Sequence, residues 1–157
     1  MRMFVMQVGD AAPDFELEAN DGTKVRLSSF KEQKNVVLCF YPKNHLFMCP
    51  SKKVFEAAQS IISSYGDIIK ADAVLFAISV DTVQAQKEFV EQYSVPYLHL
   101  SDTTKSVCKT YAGLNMAGLA KRTTFIVDKT GIIQNIFSDI DAKAHGKQIA
   151  QSLEDLK

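Results

Sequence analysis

An unbroken apolar run constrains the fold of this chain more than any other feature. Residues 36–41 read VVLCFY, which has the length of a strand and carries no charged position. A strand that is apolar on both faces is typical of the middle of a sheet that is covered on both sides. Pro42 ends the run, because proline cannot extend a central strand. We therefore expect a buried central strand that stops at Pro42.

A short polar loop and then a helical pattern follow this strand. The apolar residues after the loop recur at the three- and four-residue spacing of one helix face, at Val54, Ala57, Ala58, Ile61 and Tyr65. Pro50 suits the first helical position, and Gly66 suits the residue just past a helix end. The pattern predicts a helix from Pro50 that ends at Gly66, with Cys49 at its N-terminus.

Cys49 is a candidate nucleophile because of this predicted position. The thiolate is the reactive form of cysteine, and the free N–H groups and partial positive charge of a helix N-terminus favour an anion. Lys43, Lys52 and Lys53 add positive potential if their side chains point inward. The alternative is a small buried hydrophobic residue, which is the usual role of a free cysteine. The strand, proline, loop and helix together favour a reactive Cys49.

Length and charge limit the functions open to the chain. Its 157 residues suffice for one domain with a good core, so we expect a single domain over residues 1–157. Eighteen basic and eighteen acidic side chains balance, which leaves no basic surplus for nucleic acid or an anionic membrane. No apolar stretch reaches membrane-spanning length, and residues 1–8 are too short for a secretory signal. We expect a cytoplasmic protein.

The chain has three cysteines, Cys39, Cys49 and Cys108, with no CxxC spacing. An odd count with this spacing argues against a disulfide scaffold and against a dithiol oxidoreductase. The histidines form no zinc pattern with the cysteines, and we expect neither a metal nor a cofactor. Cys39 is most simply a core residue of the central strand. Cys108 is open to three interpretations: a core residue, an exposed idle thiol, or a partner for Cys49.

The rest of the chain alternates strand and helix patterns. Strands are predicted at residues 14–18, 24–27, 73–80, 97–100, 122–128 and 132–137, and helices at 82–93, shortly after Asp102, and at 142–156. Asn20-Asp21-Gly22 is a hairpin turn that joins the first two strands. In the 82–93 helix, we expect Val83, Phe89 and Val90 to face the core. The alternation predicts a three-layer α/β domain.

Residues 42–51, PKNHLFMCPS, resemble the active-site loop of peroxiredoxins, Pro-x-x-x-Thr-x-x-Cys. Pro42 and Cys49 fall on the matching positions, and Leu46 stands where the family has threonine. FYPK resembles the Q-type, or bacterioferritin comigratory protein, branch, whereas FMCPS is nearer the two-cysteine branch. Further matching pieces follow in order, namely GDAAPDF at 9–15, ISVD at 78–81, LSD at 100–102, RTTFIVD at 122–128 and AH at 144–145. Two strand–helix units followed by a hairpin and a helix fit a thioredoxin-like fold with an added N-terminal β-hairpin.

This resemblance implies a thiol-dependent peroxidase for hydrogen peroxide and organic hydroperoxides. Cys49 would attack one peroxide oxygen and become a sulfenic acid. Arg122 matches the family's active-site arginine, which holds thiolate and peroxide, and Pro42 matches the proline that shields the cysteine from water. The position of a Q-type resolving cysteine, five residues after Cys49, holds Val54. The resemblance therefore implies a one-cysteine enzyme, a monomer or weak homodimer, that is reduced by thioredoxin, glutaredoxin or a small thiol.

Leu46 is the main departure from the family pattern. The family threonine donates and accepts hydrogen bonds at the peroxide, and leucine can do neither. His45 is a candidate for supplying a polar group instead, although a solvated loop residue is the simpler interpretation. Met48 also replaces the Gly or Val that usually precedes the cysteine. These changes leave a competing hypothesis open: a catalytically weak thioredoxin-fold module that binds partners or buffers redox state through Cys49.

Overall fold

The computed structural model describes residues 6–46, 49–50, 52–138 and 140–157, and gives the backbone alone for residues 45, 46, 49 and 50. The strands of this described part are β1 (Glu16–Ala19), β2 (Lys24–Arg26), β3 (Asn35–Phe40), β4 (His45–Leu46), β5 (Cys49–Pro50), β6 (Ala73–Ser79), β7 (Leu98–Ser101), β8 (Thr123–Val127) and β9 (Ile133–Phe137). The α-helices are α1 (Lys52–Lys70), α2 (Val83–Tyr93), α3 (Ser106–Tyr111) and α4 (His145–Glu154). Among these helices, none has the length and apolar character needed to cross a bilayer.

A mixed sheet with the order β2-β1-β7-β6-β3-β8-β9 forms the centre of the described structure. β3 pairs in parallel with β6 and antiparallel with β8, so both of its edges are hydrogen-bonded within the sheet. The hairpin of β1 and β2 extends the sheet through an antiparallel contact between β1 and β7. The predicted central strand and N-terminal hairpin are therefore confirmed.

Alternate residues of β3 enter the two cores that lie on opposite faces of the sheet. Val36, Leu38 and Phe40 pack in a cluster that includes Cys108 and Tyr111 of α3. The intervening residues Val37, Cys39 and Tyr41 pack in a second cluster with residues of α1, α2 and α4. Because successive side chains of a strand point to opposite faces, an entirely apolar strand is what two cores require.

The first helix departs from its predicted bounds at both ends. α1 continues through Gly66 to Lys70, because Ile68 beyond the glycine is fully buried and its packing outweighs the modest cost of an exposed helical glycine. Pro50 was predicted at the first helical position, and this was wrong. It lies in β5, opposite His45 of β4, and α1 begins at Lys52. Cys49 accordingly belongs to a two-residue strand and not to the helix N-terminus itself.

α1 and α4 are in close contact at Gly146. A Cβ atom on Gly146 would lie 2.1 Å from the carbonyl oxygen of Ser60, and the Gly146 N–H donates to Ser60 Oγ at 2.9 Å. A backbone oxygen cannot move aside as a flexible side chain can, so any larger residue must push the helices apart.

We expect Gly146→Ala to lower the free energy of unfolding by about 2 kcal/mol or more, because overpacking of a fixed contact strains the core. Gly66→Ala is the matched control, since a Cβ there meets nothing within 4 Å. That control should raise stability by up to ~1 kcal/mol through helix propensity. Chemical denaturation of both variants measures the difference. Equal stability of the two variants would contradict the close contact of α1 and α4.

Candidate active site

The candidate site lies at the sheet edge where β3 ends and β8 begins. Phe40 and Thr123 are the last pair in the antiparallel register of β3 and β8. Pro42, just after the end of β3, and Arg122, just before the start of β8, therefore lie at the same end of this strand pair. The structure thus brings together two of the three predicted site residues. The third, Cys49, follows on the loop from Pro42, and its backbone pairs with Leu46 in the small β4–β5 ladder. The Cys49 side chain lies outside the described part of the chain, as do Phe47 and Met48.

Arg122 lines a narrow cavity of about 40 Å³ between the sheet and α1. The wall is mainly apolar and includes Val54 and Ala58 of α1, together with Tyr41 and His145. Burial lowers the pKa of the Arg122 guanidinium from its ordinary value, but arginine keeps its proton in proteins. A half-buried cation interacts more strongly with a nearby anion than an exposed one does, because less water screens it.

The lysines near Cys49 in sequence do not add to the positive potential that Arg122 creates at the site. Lys43 and Lys53 are exposed, and the side chain of Lys52 is 86% exposed with Glu56 at 3.7 Å. Exposed charges are screened by water and salt, so their effect on a thiol across the site is small. The condition that these lysines point inward is not met, and Arg122 is the cation that the fold places at this edge.

His145 forms part of the same cavity wall. Its Nε2 lies 2.7 Å from Thr124 Oγ1, and its Nδ1 lies 3.2 Å from Gln148 Oε1. Burial lowers the pKa of His145, so the ring is neutral near pH 7. A neutral ring with both nitrogens engaged is a structural element of the wall, and it adds no charge to the site.

A buried hydrogen-bond network lies directly behind Pro42. We call it the Asn44 network; its members are Tyr41, Asn44, Ser79, Asp81, Gln86 and His99. The Asn44 N–H donates to Asp81 Oδ2 at 2.9 Å, and Asn44 Nδ2 donates to Gln86 Oε1 at 2.8 Å. The network therefore ties the start of the loop to β6 and α2.

The sequence analysis missed this network, although one signal for it was present. Gln86 follows Val83 and precedes Phe89 at helical spacing, so it occupies a position on the core face of α2. It is fully buried there, whereas Val83, which was expected in the core, is only half-buried. A polar residue on an apolar helix face indicates a buried partner, because an unpaired buried amide is costly.

Comparison with known proteins decides the family. Residues 8–136 match the AhpC/TSA family. The chain belongs to the peroxiredoxin family. Peroxiredoxin Bcp of Bacillus subtilis is 28% identical to it over 159 residues, which cover 96% of this chain and 97% of that relative.

Solved structures agree with this assignment. Peroxidoxin BcpB of Mycobacterium tuberculosis superposes with a TM-score of 0.85 at 28% identity, over 97% of this chain and 99% of that one. A mutant of PrxQ from Xylella fastidiosa superposes with a TM-score of 0.87 over 98% of this chain and 99% of that one. At 18% identity, the PrxQ likeness shows the fold alone. The thioredoxin-like fold and the resemblance to the Bcp and Q-type branch are confirmed.

Two cysteines of this peroxiredoxin are core residues. Burial raises the pKa of the Cys39 thiol to about 12, which confirms the expected core role. Burial and the neighbouring Asp102 carboxylate raise the pKa of Cys108, which is fully buried. Cys108 packs in the cluster on the sheet face opposite α1. Both thiols are buried, so neither has the exposure that a reactive cysteine needs.

Proposed function

We propose that this peroxiredoxin reduces hydrogen peroxide and organic hydroperoxides through Cys49, and that an external thiol recycles it. The observation that carries the proposal is the convergence of Pro42 and Arg122 at the sheet edge from which the Cys49 loop leaves. The burial of Cys39 and Cys108 supports it further, because it leaves Cys49 as the candidate reactive thiol.

The proposed reaction begins with the Cys49 thiolate. Its sulfur attacks one oxygen of the peroxide, so that an S–O bond forms and the O–O bond breaks. The departing oxygen takes a proton and leaves as water or an alcohol, while Cys49 becomes a sulfenic acid. Negative charge moves from sulfur to the departing oxygen during this step. A fixed guanidinium with several donors, such as Arg122, can stabilise that charge at both ends.

Recycling then requires electrons from outside the chain. A reductant thiol attacks the sulfenic sulfur and releases water, which leaves a mixed disulfide. A second thiol breaks that disulfide and restores Cys49. Val54, which occupies the Q-type resolving position, is a buried apolar residue of α1, and Cys108 lies across the sheet. We therefore propose a one-cysteine cycle with thioredoxin, glutaredoxin or a small thiol as reductant.

The second candidate function is a catalytically weak redox-binding module, which binds partners or buffers redox state through Cys49. Leu46, which stands where the family has threonine, is the residue that favours it. Peroxide consumption with thioredoxin, and separately with dithiothreitol, distinguishes the two functions. Catalytic turnover that is first order in enzyme supports the peroxidase. Oxidation of one equivalent of Cys49 without further consumption under either reductant would support the redox-binding module.

We expect Leu46→Thr to accelerate the oxidation of Cys49 by hydrogen peroxide by about tenfold or more, which corresponds to one added hydrogen bond of ~1.4 kcal/mol. The backbone of Leu46 pairs directly with that of Cys49, and Leu46 stands where the family has threonine. Leu46→Val, which adds no hydroxyl, is the matched control. A Thr variant no faster than the Val variant would contradict the family geometry of this loop.

A further inference from the structure

We propose that Asn44 is a positioning residue for Cys49: it anchors the first part of the catalytic loop to α2 and β6. This inference rests on the proposed function, since it takes Cys49 as the reacting thiol. Asn44 lies five residues before Cys49 and two after Pro42. Pro42 is half-buried and Lys43 is exposed, whereas Asn44 has no exposed surface.

The backbone N–H and both polar atoms of the Asn44 side chain have partners inside the protein. The backbone N–H donates to Asp81 Oδ2 at 2.9 Å, and Nδ2 donates to Gln86 Oε1 at 2.8 Å. Oδ1 lies 2.5 Å from the Tyr41 hydroxyl. The three partners belong to three different segments. Tyr41 directly follows β3, Gln86 lies in the first part of α2, and Asp81 lies in the turn between β6 and α2. Asn44 therefore holds the loop to three separate segments of the structure.

The partners are themselves held in place. Asp81 Oδ2 also accepts from Ser79 Oγ at 2.6 Å, and Ser79 Oγ accepts from Gln86 Nε2 at 2.9 Å. Gln86 Nε2 donates as well to the carbonyl of Leu100 on β7, at 3.1 Å. The anchor thus reaches two strands of the sheet, and a network satisfied in this way is rigid.

The protons that Tyr41 and His99 carry fix the direction in which the hydrogen bonds of the Asn44 network are donated. Burial lowers the pKa of His99 to about 3, so its ring is neutral and carries one N–H. His99 Nδ1 lies 2.9 Å from the Tyr41 hydroxyl, which has a single proton to donate. If Tyr41 donated to Nδ1, Asn44 Oδ1 would be left without a donor and the His99 Nε2–H would be buried unpaired. If Tyr41 donated to Gln86 Oε1, which lies 3.0 Å away and already accepts from Asn44 Nδ2, Asn44 Oδ1 would again be left without a donor.

The opposite arrangement leaves a single lone pair unsatisfied. His99 Nδ1–H donates to the Tyr41 oxygen, and the Tyr41 hydroxyl donates to Asn44 Oδ1. His99 Nε2 then carries only an acceptor lone pair, and it has no partner within the described residues. Burial raises the pKa of Tyr41, so its proton stays in place. The chain His99 to Tyr41 to Asn44 orients the amide so that Nδ2 faces Gln86.

Asn44→Ala tests the inference. Removing the amide takes away the Oδ1 acceptor of the Tyr41 hydroxyl and the Nδ2 donor to Gln86, and it frees the loop from both. Oxidation of Cys49 by hydrogen peroxide should therefore slow by about tenfold or more. The pH midpoint of iodoacetamide alkylation at Cys49, located by mass spectrometry, should rise as the thiolate loses its fixed surroundings. Amide hydrogen exchange at residues 43–46 should accelerate, while exchange in β3 and β6 stays unchanged.

Asn135→Ala is the matched control, because it also removes an asparagine whose Nδ2 donates to a side chain, here Ser152 Oγ at 3.0 Å. Asn135 is part-buried and lies away from the site. It should leave the rate and the alkylation midpoint at their wild-type values. Tyr41→Phe keeps the ring and removes only the hydroxyl, and it carries the test if Asn44→Ala does not fold. It should slow oxidation in the same direction by a smaller factor.

An unchanged rate and midpoint in a folded Asn44→Ala protein would overturn the inference. So would an unchanged rate in Tyr41→Phe if that variant carries the test. Failure of the proposed function gives a different result, because wild-type Cys49 itself would then not be oxidised by peroxide. In that case hydrogen exchange at residues 43–46 still decides whether Asn44 anchors the loop.

Discussion

Cys49→Ser protein should consume no peroxide above the background of the reductant alone. A serine hydroxyl is not ionised near neutral pH, and oxygen cannot form the sulfenic acid on which the cycle depends. The other cysteines cannot replace Cys49. Burial raises the pKa of the Cys39 thiol to about 12, so that thiol stays protonated at pH 7 and is also shielded from peroxide. The expected loss is therefore at least a thousandfold.

Steady-state peroxide consumption with thioredoxin and with dithiothreitol measures this loss. Cys108→Ser is the matched control, because it removes a thiol that lies in the core on the other face of the sheet. Its single-turnover reduction of peroxide should equal that of the wild type. Retained turnover in Cys49→Ser would move the chemistry to another residue and end the assignment.

We expect Arg122→Met to slow the oxidation of Cys49 by about a hundredfold or more, because it removes a charge and its donors from a partly buried site. Arg122→Lys keeps the charge but replaces the planar fork with a compact ammonium, so we expect about a tenfold loss. The difference in rate between wild type and Arg122→Lys measures the contribution of donor geometry. The difference between Arg122→Lys and Arg122→Met measures the contribution of the charge.

The chain contains no tryptophan, so the rate is best measured by competition with a second peroxidase or by rapid quenching and mass spectrometry. Arg26→Met is the matched control, since Arg26 pairs with Asp14 and Glu16 on the exposed N-terminal hairpin. That variant should react at the wild-type rate. A wild-type rate in Arg122→Met would exclude a role for this arginine in the peroxide step.

Much of the fold could be predicted because its signals are local. The apolar run of β3 requires burial on both faces, and the structure provides two cores for it. The turn at Asn20 to Gly22 joins β1 and β2 with Gly22 at positive φ, a conformation that glycine adopts without strain. Thr82, a residue type that favours the N-cap position, caps α2, since its Oγ1 accepts from the Ala85 N–H. Each of these features depends on neighbours in sequence.

The features that could not be predicted depend on contacts between distant segments. Gly66 is a reasonable helix end on local grounds, but burial of Ile68 carries α1 past it. Asn44 is an ordinary loop residue in the sequence, and only the fold brings Gln86 and Asp81 to it across 42 and 37 positions. The meeting of Pro42 and Arg122 was predicted only through the family resemblance. Their roles in catalysis stay predictions.

We propose Cys49 as the thiol that peroxide oxidises. The direct test is to treat the reduced protein with one equivalent of hydrogen peroxide, trap sulfenic acid with a dimedone-type reagent, and locate the adduct by peptide mass spectrometry. We predict that the adduct forms first on Cys49 and that Cys39 and Cys108 stay unlabelled. An adduct that forms first on Cys39 or Cys108 would contradict the claim, and a rapid disulfide between Cys49 and Cys108 would contradict the one-cysteine cycle.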